Sequence, residues 1–84
     1  MARYGIESKL NPTEAIAAAV AYFGSTGIGL RIQDQGNNCV TFAGNQGYVS
    51  VFVCEPEDNA STGSELELET REWDYDVKRF LGKI

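Results

Sequence analysis

The chain has 84 residues, no histidine and a formal net charge of −5, and these three quantities already exclude a good deal. Its length can bury one core only, so a single domain over residues 1–84 is expected. The acidic balance disfavours nucleic acid and anionic membrane surfaces, which are bound through Lys and Arg, and the lack of an imidazole removes Ser-His and Cys-His nucleophile pairs. Nine of the twelve acids lie between Glu55 and Asp76, which suits a basic or neutral partner. No window approaches the roughly 18 apolar residues of a membrane span. The start, Met1-Ala2-Arg3-Tyr4-Gly5, carries no apolar signal run, so a cytoplasmic location is expected.

In residues 2–10, Tyr4, Ile6 and Ser8 alternate with Arg3, Gly5, Glu7 and Lys9, the period of a half-buried strand. Asn11-Pro12-Thr13-Glu14 then reads as a helix start, with Asn as cap, Pro at the first helical position and Glu returning to the cap backbone. The alanine-rich run that follows carries Ile16, Val20 and Phe23 on one stripe beside Ala19, and it should stop at Gly24, which tolerates a left-handed conformation. A second strand is predicted over 28–34, with Ile28, Leu30 and Ile32 inward and Arg31 and Gln33 outward. Turn residues occupy 35–38.

The stretch Cys39–Glu55 is a hairpin around Gly44-Asn45-Gln46-Gly47. Setting Phe42 opposite Val49 and Val40 opposite Val51 makes one face uniformly apolar, whereas a slip of one residue sets Val40 against Ser50. The first register puts Cys39, Thr41, Ser50, Phe52 and Cys54 together on the other face. Residues 56–64 lack a large apolar anchor and are expected to form a mobile polar loop. The sequence Glu65-Leu66-Glu67-Leu68-Glu69-Thr70 alternates cleanly, leucines in and glutamates out. From Trp73 onward, Trp73, Val77, Phe80, Leu81 and Ile84 form a helical stripe, with Thr70 or Glu72 as cap, Asp74 and Asp76 in the first turn, and Lys78, Arg79 and Lys83 later.

Strand, helix, four strands, helix is therefore the expected order. Short links join the last four strands as an antiparallel meander, and each helix has one apolar stripe, so both cover the same side. The expected fold is α+β, a two-layer β-α-β-β-β-β-α sandwich with two helices on one face of a mostly antiparallel five-stranded sheet. Placing the first strand beside the fifth sets Arg3 and Lys9 against the glutamates and leaves the apolar fourth strand interior, which gives the order 2-3-4-5-1. This element order resembles the TATA-binding-protein-like fold and a minimal form of the helix-grip domains of the START type. The first resemblance implies DNA contact on the uncovered sheet face, which Glu65, Glu67 and Glu69 oppose. The second implies an apolar ligand cavity between the C-terminal helix and the sheet.

No motif identifies a reaction, and no cofactor or metal is expected. Two thiols without histidine fall short of a zinc site, so Cys39 and Cys54 read as small buried hydrophobes. Glu55, Glu57 and Asp58 lack the spacing of a calcium loop. Trp73 reads as a core anchor, and Asp74 with Lys78 and Asp76 with Arg79 as surface ion pairs. The uncovered sheet face remains. Tyr48 and Phe52, flanked by Thr41, Ser50, Arg31, Cys39 and Cys54, form an apolar centre with a polar rim. The leading expectation is a small non-catalytic interaction module binding a protein partner through this face, or a homodimer formed through it or through the first-strand edge. The alternative is a small apolar ligand held among Val20, Phe42, Val51, Trp73 and Phe80.

Overall fold

A computed structural model of the chain describes residues 2–36, 38–54 and 63–83. In chain order the elements are β1 (Ala2–Ser8), α1 (Pro12–Phe23), β2 (Arg31–Gln35), β3 (Cys39–Ala43), β4 (Tyr48–Cys54), β5 (Ser64–Arg71) and α2 (Asp74–Lys83). The five strands form one sheet in the order β1-β5-β4-β3-β2 with every pair antiparallel, as charge and burial predict.

Helix α1 begins as its sequence dictates. The Asn11 side chain accepts from the Glu14 backbone N–H at 2.8 Å, and the Asn11 N–H donates to the Glu14 carboxylate at 3.2 Å. Pro12 occupies the first turn, where its missing N–H costs nothing. At the other end Gly24 closes the helix with an N–H···O bond of 2.9 Å to Val20, but in an extended conformation rather than a left-handed one. Glycine is needed there for space: a Cβ would lie 2.5 Å from the Val20 carbonyl oxygen.

The strand predicted from Ile28 starts three residues later, at Arg31. The Ile28 and Leu30 N–H groups donate back to the Tyr22 and Phe23 carbonyls, both at 2.9 Å, so this segment wraps the helix end instead of pairing with β3. Leu30 is nevertheless buried, and Ile28 packs against the core. Alternation of apolar residues describes a wrapped loop as well as it describes a strand.

The helix-facing side of the sheet is apolar from β3 to β5. Val40 pairs with Val51 and Phe42 with Val49, the predicted register, and Leu68 and Leu66 continue the layer opposite Val51 and Val53. All seven are buried. Both helices lie on this layer, α1 through Ala15, Ile16, Ala19 and Phe23 and α2 through Val77 and Phe80. The Phe23 ring joins the layers, with centroids 5.5 Å from Phe42 and 5.1 Å from Phe80.

Thr70, one of the caps considered for the last helix, lies instead inside β5 and donates its hydroxyl to the Tyr48 carbonyl at 2.9 Å. Glu72, the other, turns the chain with a positive φ of 75°. The Trp73 carbonyl accepts the first helical bond, from Val77. Of residues 56–64, expected as a mobile loop, 56–62 lie outside the described residues. Gly63 and Ser64 belong to the sheet end: Ser64 opens β5, is buried, and donates to the Leu10 carbonyl at 2.8 Å. Ile84 also lies outside the described residues.

Candidate functional site

Strand pleating sends every second residue to the side away from the helices, and the register orders these into rows across the sheet. One row runs Glu7, Glu65, Cys54; the next Gly5, Glu67, Phe52, Cys39; the next Arg3, Glu69, Ser50, Thr41, Asp34; the last Arg71, Tyr48, Ala43, Arg31. All seven residues proposed for an interface, Arg31, Cys39, Thr41, Tyr48, Ser50, Phe52 and Cys54, thus share one face. No described element covers it.

Their exposure differs in an instructive way. Phe52 is 38% exposed, and it is the exposed large hydrophobic on this face; Ile32 opposes Phe42 on the helix side, and Tyr75 projects from α2. Tyr48 is half-buried. Ser50, between Tyr48 and Phe52 along β4, is buried and shares a hydrogen bond with Thr41, the two hydroxyl oxygens 3.2 Å apart. This hydroxyl pair divides the expected apolar centre in two, so that Phe52 and Tyr48 stand as separate anchors with a polar strip between them.

The two cysteines are free, Cys54 exposed and Cys39 half-buried, in place of the buried pair expected. They lie on the open face, Cys39 with Gly36 close beside its sulfur. Among the described residues, no group of three or more Cys, Asp or Glu is arranged to hold a metal ion.

Charge on the face is uneven. Glu65, Glu67 and Glu69 line β5, and of the two cations expected to meet them only Arg3 does, bridging diagonally to Glu67. Lys9 lies beyond the end of β1. Glu7 instead stands directly opposite Glu65, two like charges side by side. Along these strands lies a hollow of about 510 Å³, bordered by Arg3, Gly5, Glu7, Cys54, Glu65 and Glu67.

The residues proposed to line an internal cavity all touch the one hydrophobic core, Phe42, Val51 and Phe80 within it, around Phe23, and Val20 and Trp73 packed against it from the margin. Val20 borders a surface hollow of about 410 Å³ beside β2. Trp73 borders another, of about 440 Å³, by the β3–β4 turn. Trp73 does act as a core anchor: its indole packs so closely under that turn that a Cβ on Gly44 would lie 3.0 Å from the ring, and its Nε1 is buried with no partner.

The surface ion pairs expected along α2 are replaced by contacts that periodicity does not reveal. Asp74 accepts the Tyr4 hydroxyl at 2.9 Å, Lys78 lies over the Tyr4 ring at 5.9 Å, and Arg79 over the Tyr75 ring at 5.8 Å. The bond to Asp74 above all, with partial burial and the charge of Asp74, raises the Tyr4 phenol above its ordinary pKa. Among the described residues no helix is long and apolar enough to cross a membrane. Comparison with protein-family models, curated proteins and solved structures gave no match.

Proposed function

We propose that this chain is a small, non-catalytic, cytoplasmic interaction module whose uncovered sheet face docks a partner protein. The observation that carries the reading is Phe52, exposed to 38% in the interior of a sheet face that no described element covers. Large apolar side chains standing on rigid strands are the usual anchors of protein interfaces, because they bury much area at little conformational cost. The surrounding Glu65, Glu67 and Glu69 favour a partner whose surface is apolar at the centre and neutral to basic around it, and they oppose the phosphates of nucleic acid. The alternative of an apolar ligand between the sheet and α2 loses support from Phe23, whose ring fills that position.

Photo-crosslinking tests the reading. A photoreactive phenylalanine at position 52 yields a discrete adduct with a second protein, while the same group at the exposed position 75 on α2 yields none. With the adduct partner purified, Phe52→Ala weakens binding at least about tenfold. Equal labelling from both positions, or an affinity unchanged by Phe52→Ala, overturns the proposal.

A further inference from the structure

We infer that β1 is a self-complementary edge at which two copies of this chain pair antiparallel, Gly5 against Gly5 of the second copy, joining their sheets into one of ten strands. Strand β1 closes the sheet with a regular register over Ala2–Ser8, without a bulge. Among the described residues nothing pairs with its outer side, which presents an uninterrupted row of backbone donors and acceptors, the feature that edge strands ordinarily disguise.

Side-chain pattern selects one pairing. For two copies to keep their helices on the same side, opposing residues must have the same orientation, which restricts a two-fold pairing to centres at position 4, 5 or 6. Centring on Gly5 sets Arg3 of each copy opposite Glu7 of the other, and Tyr4 opposite Ile6 on the helix side. Centring on Ile6 sets Glu7 against glycine and leaves Arg3 facing Lys9, a like charge just past the strand end, and centring on Tyr4 sets Arg3 against glycine. Only the Gly5 centre pairs opposite charges.

Two features that the single chain leaves unexplained then acquire a reason. Glu7 stands directly opposite Glu65 with no cation between them, and the Arg3 side chain of the second copy would complete that row. Gly5 is a glycine inside a regular strand, a choice that weakens it, yet a Cβ there would meet only the Leu66 carbonyl oxygen, at a comfortable 3.9 Å. Glycine in a strand often marks the close approach of another backbone, and at this centre that backbone is its own copy. The opposite edge does not offer the same opportunity: β2 is short and irregular, its pairing shifting between Ile32 and Asp34. The ten-stranded sheet would carry both Phe52 anchors on one continuous face, although the edge pairing does not depend on what docks there.

Light scattering over a concentration series of the full chain tests the pairing. The wild-type chain forms a dimer; Arg3→Glu and Glu7→Arg each weaken it by about tenfold or more, since each puts like charges opposite at two symmetric places, and the double exchange restores it. Phe52→Ala leaves the dimer intact. Arg3 also serves the fold through Glu67, so a second measurement bypasses charge. In a Cys39→Ser/Cys54→Ser background, Gly5→Cys thiols oxidise with oxidised glutathione to an interchain disulfide, releasing two reduced glutathiones, whereas Ile32→Cys on the opposite edge does not cross-link. A wild-type chain that stays monomeric, a double exchange that fails to restore pairing, or equal cross-linking from both edges overturns the inference. A dimer dissolved by Phe52→Ala but not by the charge exchanges moves the self-contact to the open face.

Discussion

At one border of the sheet β1 runs seven residues in unbroken register, with Tyr4 and Ile6 leaning onto the core; at the other β2 runs five residues, all exposed, with a bulge after Ile32 and charges at Arg31 and Asp34. Short length, a bulge and charge are the means by which proteins keep an edge from pairing with another chain. The molecule uses all three at β2, while β1 has charge alone, arranged with opposite signs on either side of a glycine. The contrast shows that the two edges are not equivalent ends of a meander. One is finished, and the other is structurally ready for continuation.

Substitutions made in matched pairs at the two borders can break or sharpen this contrast. The largest difference is expected between glycines at the strand ends. Gly63, at the foot of β5 beside β1, has φ of +117°, and a Cβ there would lie 2.2 Å from the Ser8 carbonyl oxygen. Gly63→Ala should cost about 2–3 kcal/mol in urea denaturation. Gly36, after β2, is exposed, and its added Cβ would approach only the Cys39 sulfur; Gly36→Ala should stay within about 0.5 kcal/mol. Equal losses would mean that the two borders are equally constrained.

Next comes a matched pair of isoleucines. Ile6→Ala removes a half-buried side chain packed on the core and should cost about 1–2 kcal/mol, whereas Ile32→Ala, at a position 46% exposed, should cost less than about 0.5 kcal/mol. Trp73 fluorescence through the unfolding transition can read both. A costly Ile32 would show that β2 contributes more to the core than its exposure implies.

The smallest effect concerns pH. The Tyr4 phenol is raised in the folded chain by its bond to Asp74. Its contribution is fully present below the unfolded value near 10 and is lost as pH rises through the folded value. The stability difference between wild type and Tyr4→Phe should therefore hold steady up to about pH 9 and change in the alkaline range above 10, with the wild type losing more. A difference that stays constant through that range would sever the link between β1 and α2.

Much of this arrangement was legible in the residues themselves. Apolar matching set Phe42 against Val49, the Asn11–Glu14 box marked the start of α1, and the need to meet a run of glutamates brought β1 to β5. These inferences worked because each rests on a local rule with only a few alternatives. The misreadings have a common cause as well. Ile28 and Leu30 are apolar at strand spacing, yet their N–H groups are taken by helix-end carbonyls, and hydrophobic period carries no information about hydrogen-bond partners. The same holds for Asp74, assigned to Lys78 along its own helix but bonded to Tyr4 across the fold. At the candidate site, the membership of the face followed from the register. The burial of Ser50 between Tyr48 and Phe52 did not, since it depends on what neighbouring strands place around it.

The partnership of β1 with β5 also sets a schedule. Ser8 finds its place only against Ser64, and Ala2 only against Thr70, so the strand made first waits for nearly the whole described chain to emerge, an interval of several seconds at ordinary synthesis rates. Contacts that span so much sequence are slow to close. The meander β2–β5 can assemble on α1 meanwhile, leaving β5 as a temporary border with its glutamates outward. Charge along a border is what deters pairing with a foreign strand, and Glu65, Glu67 and Glu69 supply it on the strand that β1 finally covers.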